Sequence, residues 1–79
     1  MNKEQVAALI RAGMPDARGE VETEDDTHFA TLVVSEAFAG LRPLQRHQLI
    51  YRALGARMGN EIHALSIRAL TPAELAAGG

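Results

Sequence analysis

Arg18-Gly19-Glu20-Val21-Glu22-Thr23, then Glu24-Asp25-Asp26-Thr27, then His28-Phe29-Ala30-Thr31-Leu32-Val33-Val34 is the stretch whose reading decides the fold. The last run is rich in β-branched residues and the first is a polar strand pattern. The acidic residues and threonine between them are turn formers, so residues 18–34 predict a β-hairpin.

On the N-terminal side of this hairpin, Asn2 and Gln5 have the spacing of a capping box, and Val6, Leu9 and Ile10 then fall on one helical face. Gly13 and Pro15 stop that helix. On the C-terminal side Ser35 ends the strand, and a short connector to Gly40 lets Phe38 pack down before Pro43 opens the main helix. Leu44, His47, Tyr51, Leu54 and Met58 recur at alternating helical spacings with Ile50 beside them, which predicts an apolar stripe facing the sheet. Gly59-Asn60 is expected to close this helix.

Residues 62–70 alternate as a third strand, with His63, Leu65 and Ile67 on one side and Ile62, Ala64 and Ser66 on the other. Thr71-Pro72-Ala73-Glu74 then supplies an N-cap, a proline at the first helical position and a glutamate at the third, with Leu70 and Leu75 placed to staple the turn. The order α-β-β-α-β-α predicts an α+β fold, a three-stranded sheet packed with helices. With no internal repeat or linker, residues 1–79 read as one domain.

Composition narrows the function classes. The chain has 79 residues, 47 % of them hydrophobic but only 4 % aromatic and none tryptophan, so a globular core must come from aliphatic side chains. Cysteine is absent, so disulfides are excluded and any metal bound from this chain must use histidine or carboxylate. The first residues lack the apolar core of a signal peptide, and no apolar run approaches membrane-spanning length; the expectation is a cytoplasmic protein without membrane contact. No phosphate loop, HExxH or nucleophile elbow is present, and Ser35 and Ser66 do not sit on a strained elbow, which argues against an enzyme.

Charge is unevenly distributed around a net −2. Glu20, Glu22, Glu24, Asp25 and Asp26 crowd the hairpin, whereas residues 41–58 carry Arg42, Arg46, Arg52 and Arg57 and no acid. Arg42, Arg46 and Arg57 fall roughly on one side of the main helix, away from its apolar stripe. A solvated face explains them as well as a docking surface for an acidic partner or for phosphates does.

The histidines read differently from one another. His47 lies in the apolar stripe and reads as a structural, half-buried imidazole hydrogen-bonded to backbone. His28 stands where the acidic turn meets the second strand, an exposed and mobile position suited to a metal ligand, although a histidine so placed is, taken alone, more often an ordinary surface residue. His63 opens the third strand and, taken alone, is a strand-edge histidine.

Three segments in this order and spacing carry a resemblance: Asp26-Thr27-His28-Phe29; Val33-Val34-Ser35-Glu36-Ala37-Phe38-Ala39-Gly40 running into Leu44-Gln45-Arg46-His47-Gln48-Leu49-Ile50-Tyr51; and Ile62-His63-Ala64-Leu65-Ser66 with Thr71-Pro72-Ala73-Glu74. Together they resemble the BolA family, and within it the short IbaG-like bacterial branch. The resemblance implies a class II KH-like arrangement and a non-enzymatic adaptor role in iron–sulfur trafficking or stress regulation. It implies a monothiol glutaredoxin as partner and a [2Fe-2S] cluster shared with that glutaredoxin and glutathione, with His63 and His28 as this chain's ligands. The isolated protein, a monomer or weak homodimer, is expected to carry no cluster of its own.

Imidazole can replace thiolate on iron, as in Rieske-type centres, where it raises the reduction potential. The turn departs from the family's commoner glycine-containing version, since Glu24-Asp25-Asp26 precedes Thr27, and the added charge bears on cluster transfer and on which partner docks. His63, on a strand, is expected to matter more than His28, on a turn. The family is also associated with DNA-binding regulators of stress response and cell shape. This chain lacks the GxxG clamp of KH modules, so any DNA binding is expected to be weak and salt-sensitive.

Overall fold

The hairpin forms over the residues that predict it. In the computed structural model, which describes residues 1–62 and 64–78, β1 (Arg18–Thr23) and β2 (His28–Val34) pair antiparallel from Arg18↔Val34 to Thr23↔Phe29. On the other side of β2 lies β3 (Ala64–Leu70), parallel to it from His28↔Ala64 to Val34↔Leu70. A parallel neighbour cannot be reached by a tight turn, and α2 (Pro43–Leu54) makes the crossover. With α1 (Lys3–Gly13) and α3 (Pro72–Ala76) the order is α-β-β-α-β-α around a mixed three-stranded sheet, the α+β class expected.

The core lies between one face of the sheet and the helices. Val21, Phe29 and Val33 point into it from the sheet, Val6 and Ile10 from α1, Ile50 and Leu54 from α2, and Phe38 from the connector. Both anticipated capping boxes are present: Asn2 Oδ1 accepts the Gln5 N–H at 2.9 Å, and Thr71 Oγ1 accepts the Glu74 N–H at 3.1 Å. Ser35, 1 % exposed, is a cap as well: its hydroxyl donates to Asp16 Oδ2 at 2.8 Å and accepts the Ala37 N–H at 3.0 Å.

The main helix departs from its expected register. Leu44 is 67 % exposed and Tyr51 39 %, whereas Ile50 and Leu54 are 0 % and 2 % exposed. The reason is a close approach of α1: a Cβ at Gly13 would stand 2.6 Å from the Ala53 Cβ. With Ala53 turned toward α1, the side of α2 that meets the core is centred on Ile50 and Leu54, and Leu44 and Tyr51 are rotated toward solvent. Gly13 is therefore needed for its missing side chain, besides ending the helix.

The end of α2 is also earlier than Gly59-Asn60. Gly55 takes φ 59° and donates its N–H to the Tyr51 carbonyl, so the helix stops at Leu54 and Met58 is not part of it. Gly59 instead closes a loop, its N–H 2.8 Å from the Ile62 carbonyl oxygen. Ile62, wholly buried, belongs to that loop, and the third strand begins at Ala64. From there the expected alternation holds, with Leu65 and Ile67 half-buried and Ala64 and Ser66 exposed.

Arg46 is a structural residue, which corrects its assignment to an outer arginine surface. Its side chain is only 11 % exposed. Nε donates to the Leu41 carbonyl at 2.9 Å, Nη1 to the Ala69 carbonyl at 2.9 Å and to Glu74 Oε1 at 2.6 Å, and Nη2 to Glu74 Oε2 at 3.2 Å. The guanidinium also stands over the Phe38 ring, 5.9 Å from its centroid. A long cationic side chain turns inward here because the end of β3 and the start of α3 present carbonyl and carboxylate oxygens to it.

Gly19 sits at a close approach of β1 to β2: a Cβ there would lie 1.7 Å from the Leu32 carbonyl oxygen. Gly19→Ala is expected to lower the denaturation midpoint by the equivalent of about 1–3 kcal/mol through forced strand displacement; an unchanged midpoint would show that the edge strand yields freely. A second expectation concerns pH. The Arg46 guanidinium, and then the Thr71 N–H, hold the Glu74 carboxyl down at about 2, below its ordinary 4.5. Because the folded-state value is the lower one, this stabilisation is complete above pH 4.5 and is lost as pH falls toward about 2. Glu74→Gln should therefore be less stable than wild type near neutrality, with the gap closing on acidification; a gap independent of pH over that window would contradict the assignment.

Candidate functional site

The site is built at the N-terminal end of the central strand. His28 is the first residue of β2, and in the parallel ladder it is opposite Ala64. Its side chain is 65 % exposed. On the same outer face the register pairs Ala30 with Ser66, and these small exposed residues leave a shallow concavity beside His28, bordered by Glu22, Thr23 and Asp25.

The turn before His28 is cross-braced, which corrects its reading as a mobile position. Thr23 Oγ1 donates to the His28 carbonyl at 2.7 Å and accepts the Asp26 N–H at 3.0 Å. Asp25 Oδ1 accepts the N–H of Thr27 at 3.0 Å and of His28 at 2.9 Å, and Asp25 Oδ2 is 2.7 Å from His28 Nδ1. Asp26 takes φ 57°, a left-handed conformation that Asp tolerates better than most residues. The backbone N–H of His28, its ring, and the N–H of Thr27 together hold the Asp25 carboxyl well below the usual carboxylate range.

Asp25 is the residue that the sequence reading missed, taking it as one acid among several. An aspartate three residues before a histidine, across a turn and just ahead of a strand, was the available signal. His63, the other expected ligand, lies outside the described residues. Its neighbour Ala64 is paired with His28. Among the described residues no group of three or more His, Asp or Glu side chains is arranged to hold a metal ion.

The arginines do not form one surface. Arg42 is exposed at the N-cap of α2, where its backbone N–H donates to Gln45 Oε1 at 2.9 Å. Arg57 lies beyond the other end of the helix, half-exposed and 3.4 Å from Glu61. The helix between them is on the order of 20 Å long at 1.5 Å per residue, and Arg46 faces inward. His47 is half-buried as expected, yet its ring stands edge-on to Tyr51, centroids 6.5 Å apart and planes at 76°, with no hydrogen bond to another described residue.

Comparison with known proteins places this architecture. The family model described as BolA-like protein matches residues 10–74. Human BolA-like protein 1 is 53 % identical over 49 residues, 62 % of this chain and 36 % of the human protein. The DNA-binding transcriptional regulator BolA of Vibrio cholerae is 49 % identical over 49 residues, 62 % of this chain and 46 % of that protein. The chain thus spans less than half the length of these relatives. An uncharacterized Acinetobacter guillouiae protein from the rpoN-murA intergenic region is 36 % identical over 75 residues, 94 % of this chain and 89 % of its own, as expected for a short bacterial branch. The structure of a bolA protein homologue from Coxiella burnetii superposes with a TM-score of 0.87 at 35 % identity, covering 96 % of this chain and 97 % of that one. With the family model covering most of the length and the whole fold shared, the chain belongs to the BolA-like protein family.

Proposed function

We propose that this protein is a non-enzymatic adaptor that docks a monothiol glutaredoxin and shares a [2Fe-2S] cluster with it and with glutathione, His28 and His63 being this chain's ligands. The observation that carries the reading is the state of His28. Its Nδ1 is engaged by Asp25, and its ring is exposed at a strand end whose turn is tied down by hydrogen bonds. A histidine held at one nitrogen by a carboxylate is the arrangement metal-ligating imidazoles use. When bound, the cluster would supply one-electron chemistry at a potential raised by imidazole ligation. With no cysteine in the chain, the thiolates that complete its coordination come from the partners.

Mixed anaerobically with glutaredoxin and glutathione, the wild-type chain is expected to give the ultraviolet–visible and circular-dichroism bands of a mixed cluster. The double variant His28→Ala, His63→Ala should abolish them while leaving apo stability nearly unchanged. Since the turn is braced, His28→Ala alone is expected to bleach the cluster, a stronger effect than mere loosening. A double variant whose spectrum matches wild type would end this reading.

A second reading, DNA binding, is favoured by the name of the Vibrio cholerae relative and by the exposure of Arg42 and Arg57. If these arginines neutralise phosphates, replacing both with Gln should reduce the slope of log affinity against log salt by about 2. A slope equal to wild type would remove this surface from consideration, and Arg46 is left out because its donors are already used internally.

A further inference from the structure

Asp25 holds more than the turn. Its Oδ1 accepts two backbone N–H groups, from Thr27 and His28, and Thr23 independently ties the same turn through its hydroxyl. Oδ2 is therefore free for a different task, and it lies 2.7 Å from His28 Nδ1. An ionised carboxylate can only accept, so the Nδ1 position must carry the proton of that hydrogen bond. In the neutral ring this leaves the lone pair on Nε2.

We propose that Asp25 is a positioning residue for His28: it locks the neutral imidazole in the Nδ1–H tautomer, whose Nε2 lone pair is the one offered to an iron centre. The biological consequence rests on the adaptor reading above; the tautomer lock does not. Two features make the role separable from simple turn closure. The ring contact uses a different oxygen from the backbone contacts, and both oxygens belong to one carboxylate whose orientation the backbone N–H groups define.

That geometry gives Asp25→Asn a determinate effect. The amide oxygen must stay on the two backbone N–H donors, because turning the NH2 toward them would set donor against donor. The NH2 group then faces His28 Nδ1, which becomes an acceptor, and the ring proton moves to Nε2. Replacing a carboxylate by an amide beside a histidine inverts the tautomer in this way while leaving the geometry intact.

The test is a two-bond proton–nitrogen correlation of the imidazoles in the nitrogen-15-labelled chain, about two pH units above the imidazole range. Wild type should show His28 in the Nδ1–H form and Asp25→Asn in the Nε2–H form, with the backbone amide spectrum of the strands preserved. A wild-type ring in the Nε2–H form, or an Asp25→Asn ring still protonated at Nδ1, overturns the proposal. Asp25→Ala, which loses the turn contacts as well, separates loss of fold from loss of tautomer through the same amide spectrum.

A second measurement follows the lifetime of the mixed cluster with glutaredoxin and glutathione, expected to fall about 10- to 100-fold in Asp25→Asn. An inverted tautomer with an undiminished lifetime overturns the positioning role. A wild-type chain that forms no cluster at all refutes the adaptor reading instead, and the tautomer spectrum alone then decides the role of Asp25.

Discussion

A guanidinium that is nearly buried must have oxygen partners for its N–H groups, and in this protein that requirement joins three parts of the chain. Arg46 reaches from the first half of α2 to the connector carbonyl of Leu41, to the last turn of the third strand at Ala69, and to Glu74 in α3. Glu74 in turn accepts the Thr71 N–H at 2.8 Å. The five-residue helix α3 is too short to be stable by itself, and its N-terminus is held by this carboxylate, which serves as capping group and counter-ion together. The start of α2, the end of β3 and α3 are thus one electrostatic unit, laid over the Phe38 ring.

At the other end of the crossover the constraint is steric. Gly13 allows α1 to approach Ala53 so closely that the rotation of α2 is settled by the helix pair, and the sheet receives Ile50 and Leu54 as a consequence. Gly19 plays the matching part between β1 and β2. Small residues at these two contacts set inter-element distances, and the aliphatic core fills the space that remains.

The end of the sheet near His28 is opposite in character. The outer face of the sheet near His28 carries Ala30, Ala64 and Ser66, all exposed. What order there is comes from Thr23 and Asp25 bonding back onto their own turn. A polar, sterically open strand end is what the proposed ligand role of His28 requires, because little has to be desolvated or moved before contact. Asp25 and Thr23 are what make this bracing possible.

By itself the sequence determined the elements whose signals are local. β-branched runs and turn formers marked the hairpin, two capping boxes marked helix starts, and period-2 alternation marked the inner and outer faces of β3. It also determined that any metal site on this chain must use histidine or carboxylate, since cysteine is absent. The tertiary structure alone decided which of two overlapping apolar rows on α2 faces the core, because that depends on Gly13 meeting Ala53, forty residues away in sequence. It alone turned Arg46 from a surface charge into an internal clasp, since its partners at residues 69 and 74 are brought to it by the parallel strand. And it alone picked Asp25 out of a run of acids, because a hydrogen bond to one ring nitrogen is a matter of direction, and direction is absent from composition and spacing.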